Sequence, residues 1–190
     1  MTDSVLSSTA HWKQRENRLH EQRKISRFEQ SVLPHLDAAY NLARWLTRND
    51  TDAEDVVQEA YLRAFKFFDG FHGDNSRAWL LKVVRNSCYT WLQQNRVHEL
   101  AIEFDEQLHS GESDTPEIIV LANVNTHLLK HALEALPPEF REAVILRELE
   151  GFSYKEIASI ADVPVGTVMS RLARARKRLQ QCLTDHKREF

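Results

Sequence analysis

SYKEIASIADVPVGTVMSRLARARKRL, residues Ser153 to Leu179, reads as two helices with a tight break between them. Ser153 and Glu156 form an S-x-x-E capping box, which starts a helix that runs to about Ala161. Asp162-Val163-Pro164 interrupts it, because proline cannot continue a helix but suits the first position of the next. In that next helix Val168, Leu172, Ala175 and Leu179 recur at the helical period and form an inner face. The opposite face holds Gly166, Thr167, Ser170, Ala173, Arg174 and Lys177, with Arg171 and Arg178 on one flank and Arg176 on the other. Small residues let a helix backbone approach a surface closely, and cations at its edges suit phosphates. No acidic residue lies between Val163 and Leu183. This is the outline of a helix-turn-helix whose second helix enters a DNA groove.

A basic helical run is also what an ordinary solvated face looks like, and arginines in a last turn complement the helix dipole. Here the cap, the break, the small-residue centre and the one-sided charge coincide, and DNA binding accounts for all of them. The net charge of −3 argues against a generally adhesive nucleic-acid binder, so contacts must come from local patches. Five glycines, five prolines and short β-branched runs in 190 residues indicate an all-α fold. Its expected form is two small helical domains joined by an acidic flexible linker, the second containing the helix-turn-helix. No stretch approaches 18 uninterrupted apolar residues and no signal peptide is visible. Cys88 and Cys182 share no C-x-x-C spacing and read as reduced core or boundary residues. A soluble cytoplasmic chain without membrane insertion is the expectation.

Residues 1–25 read as a polar, mixed-charge extension with no assignable role. Lys13, Arg15, Arg18, Arg23 and Lys24 dominate their second half, where Trp12 and Leu19 are the only large apolar residues before Ile25. A first domain is expected over 26–97. Phe28, Val32, Leu36, Ala39, Tyr40, Ala43 and Leu46 follow helical spacing, with Pro34 a possible kink. Thr51 with Glu54 makes a further capping box for a helix to about Phe68. That helix turns Asp55, Gln58, Glu59 and Leu62 outward. An exposed leucine among acidic and amide residues fits either a partner surface or a solvated face with one stray apolar residue.

A turn-rich loop, Asp69 to Asn75, precedes a helix from about Ser76 to Asn95. One side presents Leu80, Val84, Ser87, Cys88 and Trp91, and the other Trp79, Lys82, Asn86, Tyr89, Thr90 and Gln93. Aromatics interleaved with amides and a cation suit unstacked single-stranded bases. Packing of Trp79 and Tyr89 against the preceding loop is the alternative. Between Glu99 and Glu117 there are seven acidic residues and no Lys or Arg, which marks a linker over 98–124, either solvated or seated in a basic channel. The second domain is expected over 125–185, before a tail of 186–190. A helix containing Leu128, Leu129, Ala132 and Leu136 stops at Pro137-Pro138, and the next, Glu139 to Glu150, ends at Gly151.

His127, His131 and Glu134 could share a helix face, but no HExxH motif, Cys cluster or further convergent ligand makes it a metal site. No phosphate-cradling glycine loop, G-x-S-x-G or Ser/His/Asp arrangement occurs. The reading is a non-enzyme without metal or cofactor.

TDAEDVVQEAYLRAF followed by WLLKVVRNSCYTWLQQNR resembles region 2 of bacterial RNA polymerase sigma factors. LPPEFREAVILRELEGFSYKEIASIADVPVGTVMSRLARARKRL resembles their region 4, and the short acidic connection is that of the extracytoplasmic-function (ECF) group. The resemblance spans about Phe28 to Leu183. It implies a promoter-specificity subunit with core RNA polymerase, promoter DNA and an anti-sigma factor as partners. Asp55, Gln58, Glu59 and Leu62 would meet the clamp coiled coil of the polymerase. Asp74, Asn75, Trp79, Lys82, Asn86 and Tyr89 would hold the opened strand of the −10 element, including a flipped base. Arg147, Thr167, Ser170, Arg171, Ala173, Arg174, Lys177 and Arg178 would face the −35 element in the major groove. The loop from Gly73 to Trp79 is one residue shorter than the common G-D-x-S-F-x-x-W form and lacks its phenylalanine. Asp162 stands where glycine is frequent, and Met169 and Ala173 replace longer or basic side chains. Promoter sequence is therefore not carried over.

Overall fold

The computed structural model describes residues 3–102 and 120–186, with side chains at 14–95 and 127–184. Every regular element among them is helical. Helix α1, Asp3–Ser31, is continuous and takes in most of the polar extension. No glycine or proline precedes Pro34, and Glu, Gln, Arg and Lys are good helix formers, so propensity carries it where packing does not. Its last turns dock on the first unit. The Phe28 ring stands edge-on to Tyr61, Phe65 and Phe68 at 6.2, 5.2 and 5.2 Å.

Pro34 breaks the chain outright. A 3-10 turn, Leu33–His35, separates α1 from α2, Leu36–Thr47. This resets the helical register, so Leu36, expected inside, is 47% exposed. Arg48 adopts a left-handed φ of 62°. Helix α3, Asp50–Phe67, then begins at Asn49, whose side chain accepts from the Asp52 N–H at 3.1 Å. The cap is Asn49, not Thr51. Asp50 and Asp52 lie in the first turn, where they favour the positive end of the helix dipole.

After a short turn, Phe68–Gly70, helix α4 spans Ser76–Ile102, longer than the expected stop at Asn95. Arg96 to Ile102 lacks any helix breaker, which is why it continues. Helices α2, α3 and α4 pack mutually around Ala39, Leu42, Ala43, Leu46, Ala53, Val56, Ala60, Ala64, Leu80, Leu81 and Val84. Of the expected linker, Glu99 is helical, and 103–119 lies outside the described residues.

The second unit comprises α5, Val120–Glu134; α6, Pro138–Val144; α7, Tyr154–Ala161; and α8, Val165–His186. Pro138 opens α6, the position where a missing N–H does no harm. The expected helix to Glu150 changes character at Ile145–Leu149, where a π turn lets the Glu150 N–H donate to the Ile145 carbonyl at 3.0 Å. Gly151 then takes a φ of 72°, a left-handed conformation that glycine enters freely. Its neighbour Phe152 donates back to the Leu146 carbonyl at 3.0 Å.

The two units pack against each other through α4 with α7 and α2 with α6. Their apolar residues form one connected core. Arg141 and Glu142 lie at this junction with exposures of 1% and 0%. The Arg141 guanidinium donates to the Leu133, Glu134 and Leu136 carbonyls at the end of α5 and, across the junction, to the Trp45 carbonyl of α2 at 2.7 Å. It thus satisfies the Glu134, Leu136 and Trp45 carbonyls at or just past helix ends, and shares the Leu133 carbonyl with the Leu136 N–H, which donates to it at 3.2 Å.

Candidate nucleic-acid interface

The break between α7 and α8 forms as its residues dictate. The Ser153 N–H and hydroxyl donate to Glu156 Oε2 at 2.9 and 2.7 Å. The Glu156 N–H donates to Ser153 Oγ at 3.3 Å, completing the capping box. These bonds hold the Glu156 carboxyl below its ordinary pKa. Asp162 turns the chain at φ 56°, a left-handed conformation that aspartate tolerates. Val168, Leu172 and Ala175 are buried beneath α8.

Outward, Ser170, Ala173, Arg174 and Lys177 are exposed together, with Gly166 and Met169 beside them. Thr167 is half-buried at the head of this face, and its carbonyl accepts from Ser170 Oγ at 2.9 Å. The other candidate cations are engaged elsewhere in the protein. Arg171 lies 3.9 Å from Glu142 Oε2. Arg178 covers the Phe140 ring at 5.3 Å. Arg147, on the π turn, donates to the Phe152 carbonyl at 2.8 Å and covers the Tyr154 ring at 5.1 Å. Arg176 pairs with Glu148 at 2.9 Å.

The α4 face is built around an aromatic stack. Phe71 lies on Trp79 at 4.8 Å and on Phe68 at 6.2 Å, so Trp79 is a packed residue of the loop–helix corner. Gly73 fits closely there: a Cβ at that position would sit 3.0 Å from the Phe71 ring, which would have to shift by a few tenths of an ångström. Asn75 Oδ1 accepts from the Ala78 N–H at 2.9 Å and caps α4. The Asn75 amide also reaches the second unit, donating to Glu156 Oε1 at 3.0 Å. Lys82 lies 3.5 Å from Asp162, and the Tyr89 hydroxyl donates to Glu142 at 3.0 Å. Asn75, Lys82 and Tyr89 therefore face the second unit, while Asp74 and Asn86 stay exposed.

Asp55, Gln58, Glu59 and Leu62 form one exposed stripe on α3, with Leu62 68% exposed. Glu59 pairs with Arg63 at 2.6 Å. Beside the stripe runs a groove of about 400 Å³ lined by Leu36, Asp37, Tyr40, Glu54, Val57, Gln58 and Tyr61. Burial pushes the Tyr61 hydroxyl up to about 12, so it stays a neutral donor, reaching the Val32 carbonyl at 3.4 Å.

Sequence reasoning missed Arg77, Arg85, Arg141, Glu142 and Glu150, which fasten the units together. Arg85 Nε donates to Glu142 Oε1 at 2.6 Å. Arg77 donates to the Glu150 carbonyl at 2.9 Å and pairs with its carboxylate. Nothing in helical periodicity distinguishes such carboxylates from solvated ones, since their partners lie more than 50 residues away.

The family model for sigma-70 region 2 matches residues 32–97, and that for sigma-70, region 4 matches residues 126–179. The ECF RNA polymerase sigma-E factor of Haemophilus influenzae is 33% identical over 165 residues, 82% of this chain and 83% of that protein. The chain belongs to the ECF family of RNA polymerase sigma factors. A second relative in it, the ECF RNA polymerase sigma factor SigE of Mycolicibacterium smegmatis, is 34% identical over 170 residues, 89% of this chain and 66% of that protein. Among solved structures, the sigma factor RpoE in complex with the anti-sigma factor NepR from Bartonella quintana superposes with a TM-score of 0.67 at 34% identity, covering 83% of this chain and 96% of that one. ECF sigma factors are transcription initiation factors, not enzymes. The α4 face thus belongs to region 2 and α8 to region 4. No described helix is long and apolar enough to cross a membrane.

Proposed function

We propose that the chain binds core RNA polymerase in the cytoplasm and brings it to one class of promoter. The α3 stripe of Asp55, Gln58, Glu59 and Leu62 docks on the polymerase clamp. Exposed carboxylates give that contact its charge, and Leu62 gives it an apolar anchor. Ser170, Ala173, Arg174 and Lys177 of α8 enter the major groove at −35, the small residues permitting close approach while the cations meet phosphate or guanine. Thr167, Arg171, Arg178 and Arg147 support that contact, the three arginines once released from their present partners. Asp74, Asn75, Lys82, Asn86 and Tyr89 receive the opened strand at −10, on the corner that Trp79 holds rigid. Because three of these residues bond to region 4, the two units part before α4 meets the strand. Boundaries of 26–97 and 125–185 for the two domains follow this division. An anti-sigma factor is a further partner, as NepR is for the Bartonella protein.

The observation that carries this reading is the pairing, on one chain, of an acid-and-leucine stripe on α3 with a small-residue, cation-edged face on α8. Co-purification with core polymerase and run-off transcription test it. The expected result is a stable complex and transcripts from a cognate promoter. Duplex binding without polymerase and without transcripts would identify a stand-alone regulator instead.

A further inference from the structure

Helix α8 turns two large apolar side chains into solvent at its head, Val165 at 37% exposure and Met169 at 54%. Among the described residues no other large apolar side chain of this helix is exposed. Ala173, exposed as well, continues their four-residue spacing, so the three form one ridge. The ridge is about 12 Å long at 1.5 Å per residue, the length of about three base-pair steps of roughly 3.4 Å.

A single exposed methionine is ordinary on a protein surface. Here a second feature lies beside it. Gly166 occupies the first turn of α8, where alanine is the better helix former, yet a Cβ there would meet nothing within 4 Å. The protein's own packing does not require the missing side chain; close approach by an outside surface accounts for it. Charge says what kind of surface. Exposed Arg174 and Lys177 adjoin the ridge, and no acidic residue lies between Val163 and Leu183, which suits a polyanion. Val165, Met169 and Ala173 offer no hydrogen-bond donor and only a thioether as a weak acceptor, so they cannot read base edges by polar pairing. The thymine C5-methyl is the apolar group that base pairs present in the major groove.

We propose that Val165, Met169 and Ala173 are the specificity-determining residues of α8 and read thymine methyl groups at −35. Met169, long and unbranched, adapts its shape to the methyl group it meets. Val165 and Ala173 extend the contact along the groove to either side. Arg174, on the neighbouring ridge with Gly166 and Ser170, is left to guanine or phosphate. Thymines clustered within about four successive base pairs are thus the mark of the promoters this chain selects. The inference rests on the reading of α8 as the −35 helix and adds which base that helix selects.

The test uses full-length chain assembled with core polymerase. Its probe is duplex promoter DNA found by transcript mapping, in which each −35 thymine is replaced in turn by deoxyuridine. That exchange removes the C5-methyl group and keeps the base pair. Wild type should bind about four-fold more weakly at one or more positions, the effect of roughly one buried CH2. Met169→Ala should bind the thymine probe more weakly than wild type and be indifferent to deoxyuridine at the position it reads. Met169→Arg should exchange thymine for guanine there, since arginine pairs with the guanine edge. Gly166→Ala should keep the melting temperature, because its Cβ meets no obstacle, yet weaken binding. A −35 element of G·C pairs alone would overturn the ridge, as would unweakened binding by Gly166→Ala. Equal deoxyuridine losses for wild type and Met169→Ala, while Arg174→Ala weakens binding, would overturn it and leave the −35 reading standing. If Arg174→Ala also has no effect, the −35 reading falls and the ridge with it. Lost polymerase affinity in Met169→Ala with thymine discrimination intact would assign the ridge to protein contact and overturn the proposal.

Discussion

The Tyr89 hydroxyl of region 2 donates to Glu142 Oε2 of region 4 at 3.0 Å. Arg85 Nε takes the other carboxylate oxygen at 2.6 Å. Burial pushes the Glu142 carboxyl above its ordinary pKa, and Arg85 and Tyr89 offset that only in part. Burial and the same carboxylate hold the Tyr89 hydroxyl well above its usual range, so it stays a donor.

A carboxyl whose folded value is raised contributes stability that is fully present below its unfolded value, about 4.3. That contribution is lost as pH rises through the folded value. Wild-type protein should therefore gain stability on acidification from neutrality, relative to Glu142→Gln, in urea midpoints between about pH 5 and 8. A wild type that loses ground to Glu142→Gln on acidification would mean the Arg85 pair outweighs burial. Glu142→Ala, which strands a mostly buried Arg85, should cost about 3–5 kcal/mol.

Arg141 is the next site where removal is costly. Its four bonds to carbonyls of Leu133, Glu134, Leu136 and Trp45 use the fixed fork of a guanidinium, which a lysine cannot reproduce. Burial lowers its pKa to about 10, so it remains charged at neutral pH. Arg141→Ala should lose more than about 3 kcal/mol, since each stranded carbonyl costs about 1–3 kcal/mol. Arg141→Lys should fall between the two in a thermal melt. Equal melting temperatures for wild type and Arg141→Lys would deny the fork its role.

The parts legible in the sequence are those with local causes. The Ser153–Glu156 cap, the turn at Asp162, the buried Val168–Leu172–Ala175 stripe and the exposed Leu62 each follow from residues within about two helical turns. What escaped depends on distance or on register. Leu36 turned outward because Pro34 ended one helix instead of bending it. Asn49 captured the cap of α3 from Thr51, since both offer an oxygen and the choice rests on where Arg48 turns the chain. The α1 helix has almost no apolar period to detect. The cross-unit contacts of Glu142, Glu150 and Arg141 have no sequence period at all. Arg171 shows the same limit: helical geometry put it on the DNA flank, yet a carboxylate on another helix draws it inward.

Gly151 allows a cleaner test of backbone conformation. It sits at φ 72°, and a Cβ there would meet nothing within 4 Å. Gly151→Ala should therefore cost only the left-handed penalty, about 1–2 kcal/mol. Asn is the better-tolerated substitute and should cost less than Ala. A larger loss for Ala would point to a steric obstacle, and equal costs for the two would remove the conformational explanation.

Arg174 and Asp55 separate the two grips. Arg174 is exposed on the outward face of α8, so Arg174→Ala should leave folding and polymerase binding intact. A lost base or phosphate contact is worth about 1–3 kcal/mol, which lowers −35-dependent transcription roughly 5- to 150-fold. Asp55→Arg reverses charge on the α3 stripe. It should weaken polymerase binding, more so at low salt, while α8 binding to a −35 duplex is unchanged. The two variants must fail in different assays. If Arg174→Ala released the polymerase, or Asp55→Arg left clamp affinity untouched, the faces would be wrongly assigned. Agreement between them would place the anchoring contact on α8 and the polymerase contact on α3, with the opened strand left to α4.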